Sequence, residues 1–375
     1  MNIRDHKSSV VSIVSNTSID CLPPWINWMH DKRWKKYHVV VACPRVLNVN
    51  AAECVLDEIE CFRYPIVYSS RRFINLLYKI FVCYHIVKLL CHKRPHVIVC
   101  IENDVLPAVW LYMKLCKSKP RLFMHFYEYI APGDRLSPWT RFAIHFLPTL
   151  LKSAEWISQC NNTRLTMFRQ DHKLLDDKCH VFHNYPPESW SRYYVQRDVL
   201  GSPVKSILIG SIGLHTMFVR EFADFVIRCQ GALTWDVFAP AASDETAAFF
   251  ESLDSPYINF HRVFVAHEKL PALFADYDVG LLLYKGCTKN VAWAESNKFY
   301  EYLSCGLDVW VPRQLISLRE YQDDAHYPKV TVLDFEQLDQ VNVEDLCSHG
   351  GLAHRQPRFE STRAADEFFQ TLEVV

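Results

Sequence analysis

Short, uninterrupted runs of apolar and β-branched residues recur along this chain, separated by stretches of helical length. That alternation limits the fold more than any other feature. In the first half the runs fall at 10–14, 38–43, 97–100, 121–125, 156–160 and 180–183, with helix-length stretches at 73–90 and 106–116 between them. Continuous apolar runs mark strands buried on both faces, as in parallel sheets covered by helices. The order strand, helix, strand predicts a doubly wound α/β sheet. The pattern breaks at Pro186-Pro187 and again at Gly201-Ser202-Pro203, so 185–203 is expected to link two domains. It restarts with runs at 206–210, 235–238, 258–263, 279–283, 309–311 and 330–333. The expected layout is a first α/β domain over 1–190, a second over 203–355 and a terminal helix within 356–375.

Composition narrows the class. The 375 residues are enough for two cores, and with half of them apolar and 22% charged the chain is globular. A net charge of −1 gives no reason to expect a nucleic-acid partner. The 14 cysteines are scattered with no C-x-x-C pair, which suits reduced thiols and a cytoplasmic setting. The first residues carry no apolar signal stretch, and no run of 18 uncharged apolar residues occurs, so no membrane span is expected.

The stretch Glu295-Ser296-Asn297-Lys298-Phe299-Tyr300-Glu301-Tyr302-Leu303-Ser304-Cys305-Gly306 carries the most chemistry. Ser296 or Asn297 can cap a helix start, and Gly306 suits the left-handed position after its end. Lys298 and Glu301, three apart, share a face at the first turn. Free N–H groups and the positive end of the helix would receive a phosphate there, with Lys298 adding charge. Glu301 would accept hydrogen bonds from vicinal hydroxyls such as those of a ribose. A plain surface Lys–Glu pair is the alternative.

The run from Asn297 to Gly306 resembles the donor-binding segment of GT-B glycosyltransferases, above all the retaining family 4. The stretches SILIGSIG (206–213), LPALFADYDVGLLL (270–283), the strand 121–128 and HNYP (183–186) resemble further parts of that family in order. The resemblance implies a GT-B fold, two Rossmann-like domains facing across a cleft, and a nucleotide-diphosphate sugar as donor with no separate cofactor or metal. It implies retention of the anomeric configuration. It differs at Trp293, where the family often has a glutamate eight positions before the ribose-binding one, and at Asp308, where proline is common.

Other candidates are less specific. Gly210 and Gly213 bound a loop after a strand whose amides can approach a diphosphate; a tight turn has the same spacing. Arg220 could reach the phosphates or remain a solvated helix charge. His125 ends a strand, where it can face the cleft and, by the resemblance, contact the donor sugar; Glu128 follows it, and the two are the candidate catalytic residues. Asp20 lies in the first polar βα loop as a base or a cap. Between Cys61 and Ile101 there is no Asp or Glu, while Arg63, Arg71, Arg72, Lys79, Lys88, Lys93 and Arg94 alternate with apolar residues. Such a basic amphipathic segment, 63–94, fits an anionic membrane surface or a core helix with a basic outer face.

The expected function is transfer of a sugar from a nucleotide-diphosphate sugar to a glycan or lipid-linked acceptor, as in bacterial surface polysaccharide synthesis, on the inner face of a membrane. A nucleotide-sugar epimerase of the same fold and a non-catalytic nucleotide-sugar-binding protein are the alternatives. The chain holds no G-x-G-x-x-G fingerprint, which disfavours a dehydrogenase.

Overall fold

The computed structural model describes residues 9–17, 22–45, 59–65, 72–323 and 325–373. The chain divides into two compact units, Met1–His183 with Ser361–Val375, and Asn184–Glu360.

The first unit is built on seven strands: β1 (Val10–Ser15), β2 (His38–Arg45), β3 (Glu60–Pro65), β4 (Val97–Ile101), β5 (Arg121–Phe126), β6 (Ala154–Gln159) and β7 (Cys179–Val181). All pair parallel, in the order β3-β2-β1-β4-β5-β6-β7. Sequence order reverses between β1 and β4, the point where doubly wound sheets open a crevice at their carboxyl edge. The edge strand β3 has no apolar run; of its six residues only Tyr64 is buried. The terminal segment forms two short helices, Ser361–Ala364 and Asp366–Glu373. Phe368, Phe369 and Leu372 complete a core with Trp28, Trp34, Phe123, Trp156 and Phe182. Arg33 pins the second helix by pairing with Asp366 at 2.8 Å and lying over the Phe369 ring at 4.3 Å.

The helix Arg72–Lys93 crosses from β3 to β4. Its 22 residues rise roughly 33 Å, whereas a five-residue strand such as β4 extends about 17 Å. The second half rests on the unit, with Val82, Ile86, Leu89 and Leu90 buried. The first half overruns the carboxyl edge, and its large side chains there are bare: Phe73 is 68% exposed and Ile80 51%. Phe73, Leu76, Leu77, Ile80, Phe81 and Tyr84 follow the i, i+3, i+4, i+7 spacing of one helix face. Length and composition alone would let Phe73–Lys93 cross a membrane, contrary to the sequence expectation, because isolated lysines interrupt the apolar run without lowering its mean hydropathy enough. Its packed half, however, is committed to the core.

The expected basic outer face is also different. Lys79 turns to Asp104 at 2.5 Å and Lys93 to Glu60 at 2.6 Å, Lys88 is exposed, and Arg71 lies outside the described residues. Among the described side chains, the face left to solvent is apolar over the first half of the helix, from Phe73 to Tyr84.

The second unit repeats the plan with β8 (Val204–Ile209), β9 (Leu233–Phe238), β10 (Ile258–His261), β11 (Val279–Leu281), β12 (Asp308–Pro312) and β14 (Val330–Leu333), ordered β10-β9-β8-β11-β12-β14. A separate ladder joins β13 (His326–Tyr327) to β15 (Ala353–His354). The segment 185–203, read from sequence as a linker, is packed into this unit. Trp190 is in its core, and the buried Arg197 guanidinium donates to the carbonyls of Val195, Gly306 and Ala275 at 2.9–3.1 Å. Two of those carbonyls follow the ends of helices, where acceptors are left over and cations are favoured.

Asp308 has a structural role. Its buried carboxylate accepts the Lys329 N–H at 2.8 Å and lies 2.8 Å from His349 Nε2, while His349 Nδ1 lies 2.8 Å from the Arg197 carbonyl. Burial lowers the imidazole's proton affinity, but these two acceptors more than offset it and raise its pKa.

Candidate functional site

In the second unit the order reverses between β8 and β11, and the glycine loop leaves the carboxyl end of β8. Gly210 has φ +125° with nothing within 4 Å of where a Cβ would stand, so its backbone faces open space. Gly213 abuts the Thr216 hydroxyl. The helix Asn297–Ser304 begins as expected, with Ser296 capping it by accepting the Lys298 N–H at 3.3 Å. The structure joins helix and loop through Tyr302, whose buried hydroxyl accepts the N–H of Ile209, next to Gly210, at 3.3 Å.

Glu301 is 1% exposed. The Lys298 ammonium bonds its Oε2, and His267 Nε2 lies 3.4 Å from its Oε1. Burial alone would raise the carboxyl pKa; the Lys298 charge and His267 overcome that and hold it at about 2. Lys298 and His267 therefore lie above a buried anion and remain partly exposed. His267 was not legible beforehand: it lies in a one-turn helix, His267–Lys269, 34 residues upstream, and leans on the Trp190 ring at 4.9 Å.

Glu295 bonds the hydroxyls of Tyr300 and, at 3.3 Å, Tyr321. It is a buried brace at the entry to the helix. Trp293 has Lys289 over its ring at 5.5 Å. Arg220 is exposed and stacks on Phe249 at 4.7 Å. The chain holds one Asp-x-Asp string, Asp276-Tyr277-Asp278, at the amino end of β11, on the opposite edge from the loop. There Asp278 accepts the Lys205 N–H at 2.9 Å.

In the first unit a concavity of about 300 Å³ opens at the β1/β4 reversal. Asn16 and Thr17 follow β1, Glu102, Asn103 and Asp104 follow β4, and Tyr127 and Glu128 follow β5. Glu128 is exposed on its rim. His125 is not part of it. At 6% exposure it lies among Tyr127 and Phe182, with Nδ1 2.9 Å from the Ser158 hydroxyl and Nε2 without a partner among the described residues. Burial lowers its pKa to about 3, so it is a neutral core imidazole. Asp20 lies outside the described residues.

Glu102 was not anticipated. Its backbone has φ +66° and ψ 167°, a region that residues other than glycine avoid at a cost of about 1–3 kcal/mol. Its Oε1 accepts the N–H groups of Tyr127 at 2.5 Å and Glu128 at 3.1 Å.

No protein-family model and no curated protein sequence matches the chain. Solved structures do. The lipopolysaccharide outer core galactosyltransferase WaaB, in its apo form, superposes with a TM-score of 0.63 at 11% identity over 97% of this chain and 99% of its own. A UDP-N-acetylglucosamine 2-epimerase gives 0.59 at 13% identity over 98% and 97%. The α,α-trehalose 6-phosphate synthase of Burkholderia multivorans gives 0.57 at 13% over 89% and 88%. Glycosyltransferases dominate these neighbours. With two parallel sheets of the same doubly wound order, the likeness establishes a GT-B fold made of two Rossmann-like units.

Proposed function

We propose that the chain is a glycosyltransferase whose nucleotide-diphosphate sugar binds in the second unit. The observation that carries this reading is the Lys298–Glu301–His267 cluster at a capped helix start, tied by Tyr302 to an open glycine loop. Lys298, the helix N–H groups and the Gly210–Gly213 backbone would meet the diphosphate, and Glu301 the ribose hydroxyls once Lys298 turns to phosphate. Diphosphate charge grows as the glycosidic bond breaks, so a fixed ammonium there stabilises departure without a metal. Incubation with UDP-glucose, UDP-galactose, UDP-N-acetylglucosamine and GDP-mannose should release nucleoside diphosphate from at least one of them. Conversion of the sugar without that release would favour the epimerase reading.

The acceptor in this reading is lipid-linked and held at the cytoplasmic face of a membrane. The overhanging stripe of Arg72–Lys93 supports that: a contiguous apolar helix face with exposed Lys88 near it suits shallow insertion among anionic headgroups. The Lys79–Asp104 pair ties this stripe to the rim of the β1/β4 concavity. Since the exposed face is apolar, binding should persist in salt of about 1 M, where ionic attraction is screened. Leu77→Glu with Ile80→Glu should remove phosphatidylglycerol-vesicle binding at least about tenfold, since each side chain loses apolar contact and gains a charge. Vesicle binding that survives both changes, or disappears in salt, would refute this docking mode.

A further inference from the structure

Apart from the Lys298–Glu301–His267 cluster, the second unit holds a set of buried polar groups that meet at His349. That side chain is 7% exposed, and both of its ring nitrogens face oxygen acceptors: Nε2 lies 2.8 Å from Asp308 Oδ2 and Nδ1 lies 2.8 Å from the Arg197 carbonyl. A neutral imidazole carries one N–H, and neither a carbonyl nor an ionised carboxylate can donate to its bare nitrogen. Both contacts are hydrogen bonds only when a second proton is present, on the ring or on Oδ2. Wherever that proton resides, its loss sets lone pairs against each other at one of the two contacts. The charge count agrees. Asp278 lies 3.8 Å from Arg197 and Asp308 lies against His349, so two carboxylates face a guanidinium and an imidazolium. Loss of the proton leaves a buried carboxylate without that counter-charge.

The residue that His349 grips bears on the helix that Ser296 caps. The Arg197 guanidinium lies across the far end of that helix, where Nη1 donates to the carbonyls of Cys305 at 3.4 Å and Gly306 at 3.1 Å. Its Nη2 donates to Phe274 at 3.3 Å and Ala275 at 2.9 Å, after the helix Leu270–Phe274. The Val195 N–H also bonds the Cys305 carbonyl at 3.2 Å, and a Cβ on Gly306 would stand 2.2 Å from the Val195 carbonyl oxygen. The segment 195–197 and the end of the helix are thus in direct contact.

We propose that His349 is a proton-operated latch: the protonated form fixes Arg197 over the carboxyl end of the helix Asn297–Ser304, and loss of the proton frees that end and lowers nucleotide affinity. The effect on nucleotide rests on the glycosyltransferase reading above; the hold on the helix end does not.

The groups around His349 set the range in which the latch works. Burial lowers its pKa, but the hydrogen bond and charge of Asp308, with the Arg197 carbonyl, outweigh burial and the Lys329 charge and leave it above its ordinary value of 6.5. The Tyr327 ring stacks on the imidazole at 4.7 Å, and the Tyr327 hydroxyl bonds Asp198, whose charge also favours the imidazolium. Tyr194, His354, Asp278 and the Cys347 thiol stand around these groups. The sign follows. A histidine whose pKa is raised by folding stabilises fully below its unfolded value of about 6.5 and loses that contribution as pH rises through the folded value.

Asp308→Asn is the decisive variant, because it makes the network neutral without emptying it. The new amide oxygen can accept the Lys329 N–H and its nitrogen can donate to a bare Nε2, while His349 Nδ1–H still meets the Arg197 carbonyl. The His349 midpoint, followed by NMR of the ring and assigned with His349→Gln, should lie above 6.5 in the wild type. In Asp308→Asn it should fall by at least about one pH unit. Between about pH 6.5 and 9 the wild-type melting temperature should drop by at least about 2 °C relative to that of Asp308→Asn. Over the same range wild-type affinity for UDP by calorimetry should weaken about fivefold relative to the variant, and by reciprocity bound UDP should raise the His349 midpoint. At pH of about 6 the two proteins should bind UDP within about twofold of each other. The wild-type midpoint and its rise with UDP decide the matter even without a folded variant. Melting with the same pH dependence in both proteins, or a wild-type midpoint at or below 6.5, would overturn the latch. UDP affinity that ignores the His349 midpoint would overturn its control of nucleotide. A chain that keeps the stability difference but binds neither UDP nor GDP at any pH would overturn the glycosyltransferase reading and leave the hold on the helix end standing.

Discussion

Glu301→Ala is expected to lower donor turnover by roughly 10²–10⁴-fold. A hydrogen bond to a charged group contributes about 1.5–3 kcal/mol, and two vicinal ribose hydroxyls lost together give about 3–6 kcal/mol. Lys298 and His267 also lose the anion that holds them over the helix start, so the ammonium that should meet the diphosphate is no longer fixed. Much of the loss should appear as weaker nucleotide binding by calorimetry. Glu301→Gln, which keeps the shape and removes the charge, should lose less. Nucleotide affinity equal to wild type in a folded Glu301→Ala protein would take the donor site away from this helix.

Gly280→Val should destabilise the second unit by about 3 kcal/mol or more. Gly280 is the middle residue of β11, and a Cβ there would stand 2.2 Å from the ring of Tyr302, well inside the roughly 3.5 Å at which carbon atoms attract. Neither partner can move freely. β11 is held between β8 and β12, and the Tyr302 hydroxyl is fixed to Ile209. The helix carrying Lys298 and Glu301 would have to lift from the sheet, so melting temperature and donor binding should fall together. Calorimetry should show a drop of about 6–12 °C. Tyr302→Ala in the same chain should recover part of that stability, since it removes the colliding ring. A Gly280→Val protein that melts like wild type would mean that the helix is free to shift.

Both sheets were legible because their central strands are buried on both faces, so β1, β4, β5, β8 and β12 appear in the sequence as continuous apolar runs. β3 was not, since an edge strand can carry Glu60, Arg63 and Pro65 and still pair. Lys298 and Glu301 were legible as neighbours because three residues is nearly one helical turn. His267 was hidden, as no local rule links residues 34 apart. Strand alternation accounts for His125, which shares the face of β5 with Phe123 and so points into the aromatic core. Glu128, two residues beyond the strand, clears the edge. The strand-end reasoning that singled out Glu128 would have drawn out Glu102 if applied to β4, although its left-handed backbone is visible only in three dimensions. The charge of 63–94 was read correctly as composition but not as a surface, because Lys79 and Lys93 turn to carboxylates that the sequence places elsewhere.

The return of Ser361–Val375 to the first unit governs how the molecule can be assembled on a ribosome. Domains generally fold as they emerge, amino-terminal first. Here β1 to β7 emerge early, but Trp28, Trp34, Phe123 and Trp156 must wait for Phe368, Phe369 and Leu372, made only after the whole second unit. During that interval a broad aromatic face is uncovered, and a nascent chain stalled before Ser361 would present it to chaperones. The second unit, contiguous from Asn184 to Glu360, can close its core first. The unit made first is therefore the last to be completed.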